Sequence, residues 1–304
     1  MNYINIAIHL ALALALPPLA LGVINKTKAA VAGRLGPPLL QPYFDLAKLL
    51  RKSTVISQTT SWVFLAGPAI GLVTVLLASL FVPLGGHVAP LSFEGDFVLF
   101  AYMLGLGRFF TILAALDTGS AFEGMGAARE ATFSALAEPA LFFGFLVLAR
   151  ASGAYSLTAM LGPTVLATWT AAGAALGAVV VSWFIILLAE NSRIPFDDPN
   201  THLELTMIHE VMVLDHSGPP FGMILYGASI KLFLFCALII GLIAPLGALD
   251  PWLAWVAFVG LVLVVAVGIG LVESMMARLR MTQVPALLIA SCLVAAFGAV
   301  LLVR

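Results

Sequence analysis

Three charged residues fall inside stretches that are otherwise apolar: Arg108, Glu138 and Lys231, with Glu130 at the edge of one of them. A charge at the centre of a bilayer costs ~2.5–3.5 kcal/mol even on a lenient insertion scale, so each must face protein or water. In "AREATFSALAEP" Glu130 and Glu138 stand eight residues apart. On a helix that spacing places them near one face, about 12 Å apart along it. Two carboxyls so placed could relay protons through intervening water, because burial brings a carboxyl closer to neutral-pH titration. The same residues also suit a static pair with Arg108 or Lys231 that only ties helices together.

A second concentration of charge lies in "AENSRIPFDDPNTHLEL", residues 189–205: four acids and one arginine, comprising Glu190, Arg193, Asp197, Asp198 and Glu204. Pro195 and Pro199 make the chain there extended or turning. Asn200 or Thr201, both good N-caps, predict a helical restart. Apolar residues run through the acids and beyond them: Ile194, Phe196, Leu203, Leu205, Met207 and Ile208. That interleaving predicts a re-entrant or interfacial loop whose charges line a polar cavity, not a solvated loop. His202, His209 and His216 recur every seven residues. Ligands two helical turns apart are ~10 Å apart, which disfavours a shared metal ion, and "HEVMVLDH" lacks the HExxH spacing.

The elements that carry these residues follow from composition. The chain has 304 residues, 62% hydrophobic and 10% charged, with net charge −1. Too few charges are present to coat a soluble domain of this size. The charge balance argues against a nucleic-acid partner. Cys236 and Cys292 are two thiols where an iron–sulfur cluster usually takes four. Eight segments reach the ~20 apolar residues of a spanning helix: about 4–24, 62–84, 97–116, 131–149, 164–189, 221–246, 251–272 and 284–303. The expected fold is an all-α polytopic membrane protein, a single membrane domain over 1–304. The first segment has no basic residues before it and reads as a retained helix, not a cleaved signal.

Basic residues set the expected orientation. The first connection carries Lys26, Lys28, Arg34, Lys48, Arg51 and Lys52. Arg129, Arg193, Arg278 and Arg280 fall on the other odd connections. The odd connections are therefore expected in the cytoplasm and both termini outside. Within the first connection, "QPYFDLAKLLRK" predicts an interfacial helix from near Pro42. Tyr43, Leu46, Ala47 and Leu50 share one face, and Asp45, Lys48 and Lys52 another. It suits either lipid anchoring or docking of a partner. Asp45, Lys48 and Arg51, together with His209, Glu210 and Asp215 of the long loop, are the candidate docking residues.

Three stretches carry a resemblance. "AENSRIPFDDPNTHLEL" resembles the pattern A-E-x-x-R-x-P-F-D-x-P-x-x-x-x-E-L of the heel subunit of respiratory complex I (subunit 1, lettered H in bacteria) and its relatives in energy-converting NiFe hydrogenases. "GPPLLQPYFDLAKLLRK" resembles that family's first cytoplasmic loop, and "AREATFSALAEP" the segment ending in its buried glutamate, here Glu138. The runs "LDTGSAFEGMGAARE" and "THLELTMIHEVMVLDHSGP" are more similar to the formate hydrogenlyase subunit 4 (hydrogenase 4) branch. The chain departs from the complex I pattern at Asn200 and His202, where that pattern is acidic.

The resemblance implies a membrane anchor and coupling subunit of a redox-driven proton- or cation-translocating complex. It links a hydrogenase-type arm of large and small iron–sulfur subunits to antiporter-like membrane subunits, in the inner membrane of a prokaryote. Glu190, Arg193, Asp197 and Glu204 match the family's charged positions. With Arg108, Glu130, Glu138 and Lys231 they form the expected coupling path. No cofactor is expected in this chain; NiFe and iron–sulfur centres are expected on partners, with lipid as a further contact. The rival readings are a quinone-site subunit of a complex I-type NADH dehydrogenase and a stand-alone ion transporter. The departures at Asn200 and His202 imply that no functional quinone binds.

Overall fold

The computed structural model describes residues 3–197 and 207–302. Among them are ten α-helices: α1 (Tyr3–Val31), α2 (Gln41–Leu50), α3 (Trp62–Ser79), α4 (Asp96–Asp117), α5 (Ala121–Ser152), α6 (Leu157–Met160), α7 (Val165–Glu190), α8 (Gly218–Ile243), α9 (Pro251–Met275) and α10 (Val284–Leu301). Eight of these are long and apolar enough to cross a membrane, all but α2 and the short α6. The chain is a multi-pass, all-α membrane protein.

Helix α8 is the hub of the bundle. Of its most apolar stretch 67% is buried, against 44% or less for every other span. A helix apolar all round belongs in the interior, and α8 packs against α1, α2, α3, α7 and α9. Helices α3 and α4 pair on one flank, α5, α7 and α10 on another, and α1 pairs with α9. Pro219 and Pro251 sit in the first turns of α8 and α9, where a missing amide costs nothing.

Two span boundaries lie well beyond the hydropathy limits. Helix α1 runs to Val31, so Lys26 and Lys28 lie on the helix and not in the following connection. Helix α5 starts at Ala121 and so carries Arg129 and Glu130. Its 32 residues extend about 48 Å, well past a hydrocarbon core of about 30 Å. Hydropathy registers the apolar layer; good helix formers such as the Ala and Glu of "AFEGMGAAREA" carry the backbone helix beyond it.

The 32–61, 118–120, 191–197, 207–217 and 276–283 stretches gather at one end. Val55 and Ser217 exchange hydrogen bonds there. Asp117 accepts from the Ser61 and Phe64 amides, and the Leu279 amide reaches the Pro195 carbonyl at 2.9 Å. The helical restart expected near Asn200, with Glu204 and His202, lies outside the described residues. The described part of that connection has a 3₁₀ turn, Glu210–Val213. Met207, Ile208, Val211 and Met212 are buried in it, as the apolar interleaving required.

Helix α2 lies at this end with no residue fully buried. It is held against α1 beside a break in that helix's hydrogen-bond ladder. Pro17 and Pro18 lack the amides that would bond the Ala13 and Leu14 carbonyls, and a spanning helix must satisfy such groups internally. The Tyr226 hydroxyl of α8 donates to the Leu14 carbonyl at 2.8 Å. The Tyr43 hydroxyl of α2 donates to that of Ala15. Burial pushes the Tyr43 pKa upward, so it stays a neutral donor. Tyr226→Phe removes one partner of a pair in an apolar layer and is expected to cost about 1 kcal/mol. Thermal unfolding in nanodiscs measures it; an unchanged midpoint would mean that the freed carbonyl finds another donor.

Candidate functional site

The sequence brings Arg108 to the centre of four helices. Gly107 allows the close approach of α4 to α3: a Cβ there would stand 2.6 Å from Thr74 Oγ1. The guanidinium then faces α5 and α7. Its Nη1 lies 2.7 Å from Glu138 Oε1, its Nη2 2.5 Å from Glu190 Oε2, and its Nε 3.5 Å from Glu130 Oε1. Lys231 of α8 adds a 2.7 Å ion pair to the same Glu190 oxygen and donates to the Glu190 carbonyl. A planar fork of donors suits this role better than an ammonium, since it engages three acids in different directions. Both Glu130 and Glu138 reach Arg108, as their spacing on one helical face required.

Burial is uneven across the cluster. The Arg108 side chain is 9% exposed, whereas that of Glu138 is 48% exposed, on the flank between α4 and α5. The acid expected to be buried is thus the most open member. Three carboxylates meet two cations, leaving one negative charge in excess when all are ionised. A cavity of about 90 Å³ adjoins Arg108, Glu130, Glu190, Lys231, His209 and Met212. A water occupies ≳10–15 Å³ on this measure, so several fit among polar partners.

The other predicted residues form a separate cluster. Arg193 Nη1 lies 3.4 Å from Glu273 Oε1, and Lys28 Nζ lies 2.8 Å from Glu273 Oε2. Asp197 pairs with Arg278 at 2.8 Å and accepts from the Ile208 and His209 amides at 3.0 and 3.1 Å. Segment 191–197 is thereby tied to α9, through Glu273 to Lys28 of α1, and to residues 208, 209 and 278. Sequence reasoning missed Lys28, Glu273 and Arg278. Glu273, like Arg108, is a charge next to apolar residues, but it stands at the end of its run, where a charge reads as solvated. A larger cavity, about 370 Å³, opens between α1, α2, α8 and this segment, with Pro18, Asp45, Arg193, Asp197, His209 and Glu210 on its wall.

The candidate docking residues scatter around that end. Asp45 accepts from Gln41 within α2 at 2.8 Å. Lys48 and Arg51 border an open groove with Phe44. The Asp215 amide donates to buried Glu123 at 3.1 Å, and His209 borders both cavities. Among the described residues no group of His, Cys, Asp and Glu has the arrangement of a metal site.

Comparison with known proteins gives the family and the fold. The chain matches the NADH dehydrogenase family over residues 4–304. It is 31% identical to formate hydrogenlyase subunit 4 of Escherichia coli K12, covering 89% of each chain. Hydrogenase-4 component C of the same organism is 31% identical over 77% of this chain and 73% of its own. The H-type subunit of the NADH-quinone oxidoreductase of Polaromonas naphthalenivorans is 29% identical over 83% of this chain and 74% of its own. The membrane-bound sulfane sulfur reductase, an archaeal respiratory membrane complex, contains a chain of the same fold, with a TM-score of 0.81, 22% identity and 96% coverage of both chains.

Arg108→Leu leaves three acids without their shared partner. Breaking a buried ion pair from one side costs about 3–5 kcal/mol, so the variant is expected to lose that much stability or fail to accumulate. Thermal unfolding and membrane yield measure it. A loss under about 1 kcal/mol would mean that the acids are solvated instead of paired.

Proposed function

Given that the chain belongs to the NADH dehydrogenase subunit 1 family, we propose that it is the membrane anchor and coupling subunit of a redox-driven proton- or cation-translocating complex of the hydrogenase type. On this reading the loop-rich end seats a peripheral hydrogenase-like arm and the flanks meet antiporter-like subunits. The observation that carries it is the Arg108 cluster: five ionisable groups from four helices, all but Glu138 on the wall of a cavity large enough for water. A purely structural tie needs one pair. Three acids sharing two cations leave a carboxylate in excess, and ionisable groups inside a membrane protein ordinarily mark an ion path.

The coupling element is the chain from Glu190 to Asp197. Glu190 belongs to the Arg108 cluster, while Arg193 and Asp197 belong to the second one. An arm that shifts this segment changes the field at Glu190, because the same few residues are anchored at both ends. The redox centres would sit on the arm. This chain offers no cluster ligand set: its two cysteines, Cys236 on α8 and Cys292 on α10, fall short of the usual four. The curated relatives named for hydrogenlyase and hydrogenase components support this branch.

A second reading, a quinone-site subunit of a complex I-type dehydrogenase, draws on the 370 Å³ cavity and on the NADH-quinone oxidoreductase relative. An apolar wall alone does not select a quinone headgroup, and the departures at Asn200 and His202 favour the first reading. On either reading the loop-rich end is cytoplasmic and both termini lie outside, in a prokaryotic inner membrane. Reporter fusions after Lys52 and Arg280 should then read cytoplasmic and one after Gly86 external; the reverse pattern removes the docking face.

The function is tested on the purified complex in vesicles. Electron transfer is expected without stoichiometric quinone and without sensitivity to quinone-site inhibitors. Glu138→Gln keeps shape and hydrogen bonding but removes the exchangeable proton, so assembly and electron transfer should survive while ion pumping falls at least about tenfold. Full pumping leaves Glu138 a structural residue; bound quinone with inhibitor-sensitive turnover selects the second reading.

A further inference from the structure

A second set of buried ionisable groups lies away from the Arg108 cluster, where the 207–217 chain seats against α3 and α5. Gly126 makes room for it: a Cβ there would stand 2.3 Å from Val211 Cγ1. His216 is 6% exposed and its ring stacks on Phe64 with centroids 4.0 Å apart. Its Nε2 lies 3.2 Å from the Phe64 carbonyl oxygen. A carbonyl only accepts, so Nε2 carries the hydrogen and the neutral ring has its lone pair on Nδ1. That Nδ1 is buried without a partner among the described residues.

Glu123, in the first turn of α5, is 1% exposed. Its Oε1 accepts the Asp215 amide, and its Oε2 lacks a partner within hydrogen-bond distance, the Thr118 hydroxyl acting on the carboxyl from farther off. Among the described residues no cation pairs with it. Two polar side chains, each more than nine-tenths buried and each with a bare polar atom, thus hold the connection at consecutive residues: Glu123 through the Asp215 amide and His216 through Phe64. Buried polar groups are rarely left so; a bare imidazole nitrogen and a spare carboxyl oxygen have proton binding in common.

We propose that Glu123 and His216 form a proton-responsive clasp that holds the 207–217 connection against the membrane bundle. With His216 neutral, its Nε2–H bond and Phe64 stack seat the connection, and Glu123 holds it through the Asp215 amide. A proton arriving at Nδ1 places a charge in a buried stack, and the connection lifts. His209 and Met212, which border the water-sized cavity beside Arg108, move with it. The clasp therefore sets the access of the ionic cluster from the loop-rich end, whichever complex the chain serves.

The surrounding charges make both states reachable. Asp117 approaches from α4, where it caps the Ser61 and Phe64 amides. Glu123 approaches from α5, Asp215 from the connection itself, and the backbone of Lys52 packs near Gly218. Burial, the larger effect, lowers the His216 pKa, while the Phe64 carbonyl and Asp215 raise it. A lowered pKa means that the seated state prefers the neutral ring. Seating is then complete above the ordinary histidine value of about 6.5 and is lost as pH falls below it.

Hydrogen exchange of the 207–217 amides in the intact complex, corrected for intrinsic chemical exchange, tests this across pH 5–8. In the wild type, protection should fall below pH about 6.5 by up to about tenfold per pH unit, the slope of a single proton. His216→Phe keeps the stack without the titrating nitrogen, and His216→Gln keeps a donor; in both the profile should be flat. Glu123→Gln should shift the midpoint. A wild-type profile without pH dependence, or the same profile in a His216 variant, overturns the proposal. Where neither His216 variant assembles, an unchanged midpoint in Glu123→Gln overturns it.

Discussion

Holding an arginine inside an apolar layer is the constraint from which most of this architecture follows. Arg108 cannot reach water along its own helix, so acids must come to it from other helices. Glu130 and Glu138 arrive from α5 and Glu190 from the end of α7. Those demands fix the rotation of α5, because only one face carries both acids, and the depth of α7, because Glu190 is its last residue. Lys231 then offsets part of the excess negative charge from α8. The close α3–α4 contact at Gly107 holds α4 itself in register.

The second ionic cluster has a different physical task. Lys28, Arg193, Glu273, Asp197 and Arg278 stand at helix ends and in the turn after α7, where the regular helical ladder gives way to turn hydrogen bonds such as those of the Phe196 and Asp197 amides to the Arg193 carbonyl. Charge pairing and the two amides that Asp197 accepts replace the helical ladder there. Placing both clusters on one short segment gives that segment two anchors of opposite character. One is set deep among spanning helices and the other close to the loop-rich surface. A displacement at the surface therefore has a short, stiff route to the interior. In the role proposed above, coupling on that route would be a matter of electrostatics and would need no redox group in this chain.

How much of this was legible in the sequence depends on the kind of signal. Arg108, Glu138 and Lys231 stand out because each interrupts an apolar run, and the cost of burying charge makes such a residue conspicuous wherever the chain folds. Eight spans follow from the same solvent argument. The starts and stops of α1 and α5 did not, because hydropathy reports the lipid boundary and not the helix. Glu273 and Lys28 were missed because a charge at a helix end is ordinarily solvated; only tertiary packing of α1 on α9 encloses them. Glu123 was missed, and His216 was weighed only as a metal ligand, for a related reason. Their burial comes from a connection folding back on two helices, and no local period encodes that. The separation of Arg193 and Asp197 from the Arg108 cluster is likewise a fact of three dimensions.

The uneven burial of the Arg108 cluster bears on how the chain is used. Glu190 is enclosed, whereas nearly half of Glu138 is open on the flank between α4 and α5. Tyr102, Ala131, Thr132 and Ala135 are exposed on the same two helices. Lipid is a poor neighbour for a carboxylate, since hydrocarbon offers it neither a donor nor a countercharge. Small residues along a helix face permit close backbone approach by another helix. A neighbouring membrane subunit with polar groups at that depth would give Glu138 the partner that lipid cannot. The cluster would then continue across the interface instead of ending at it. This arrangement accords with the coupling role proposed above: the best-enclosed acid, Glu190, lies next to the segment an arm would move, and the most open one faces the flank where the ion path would go on.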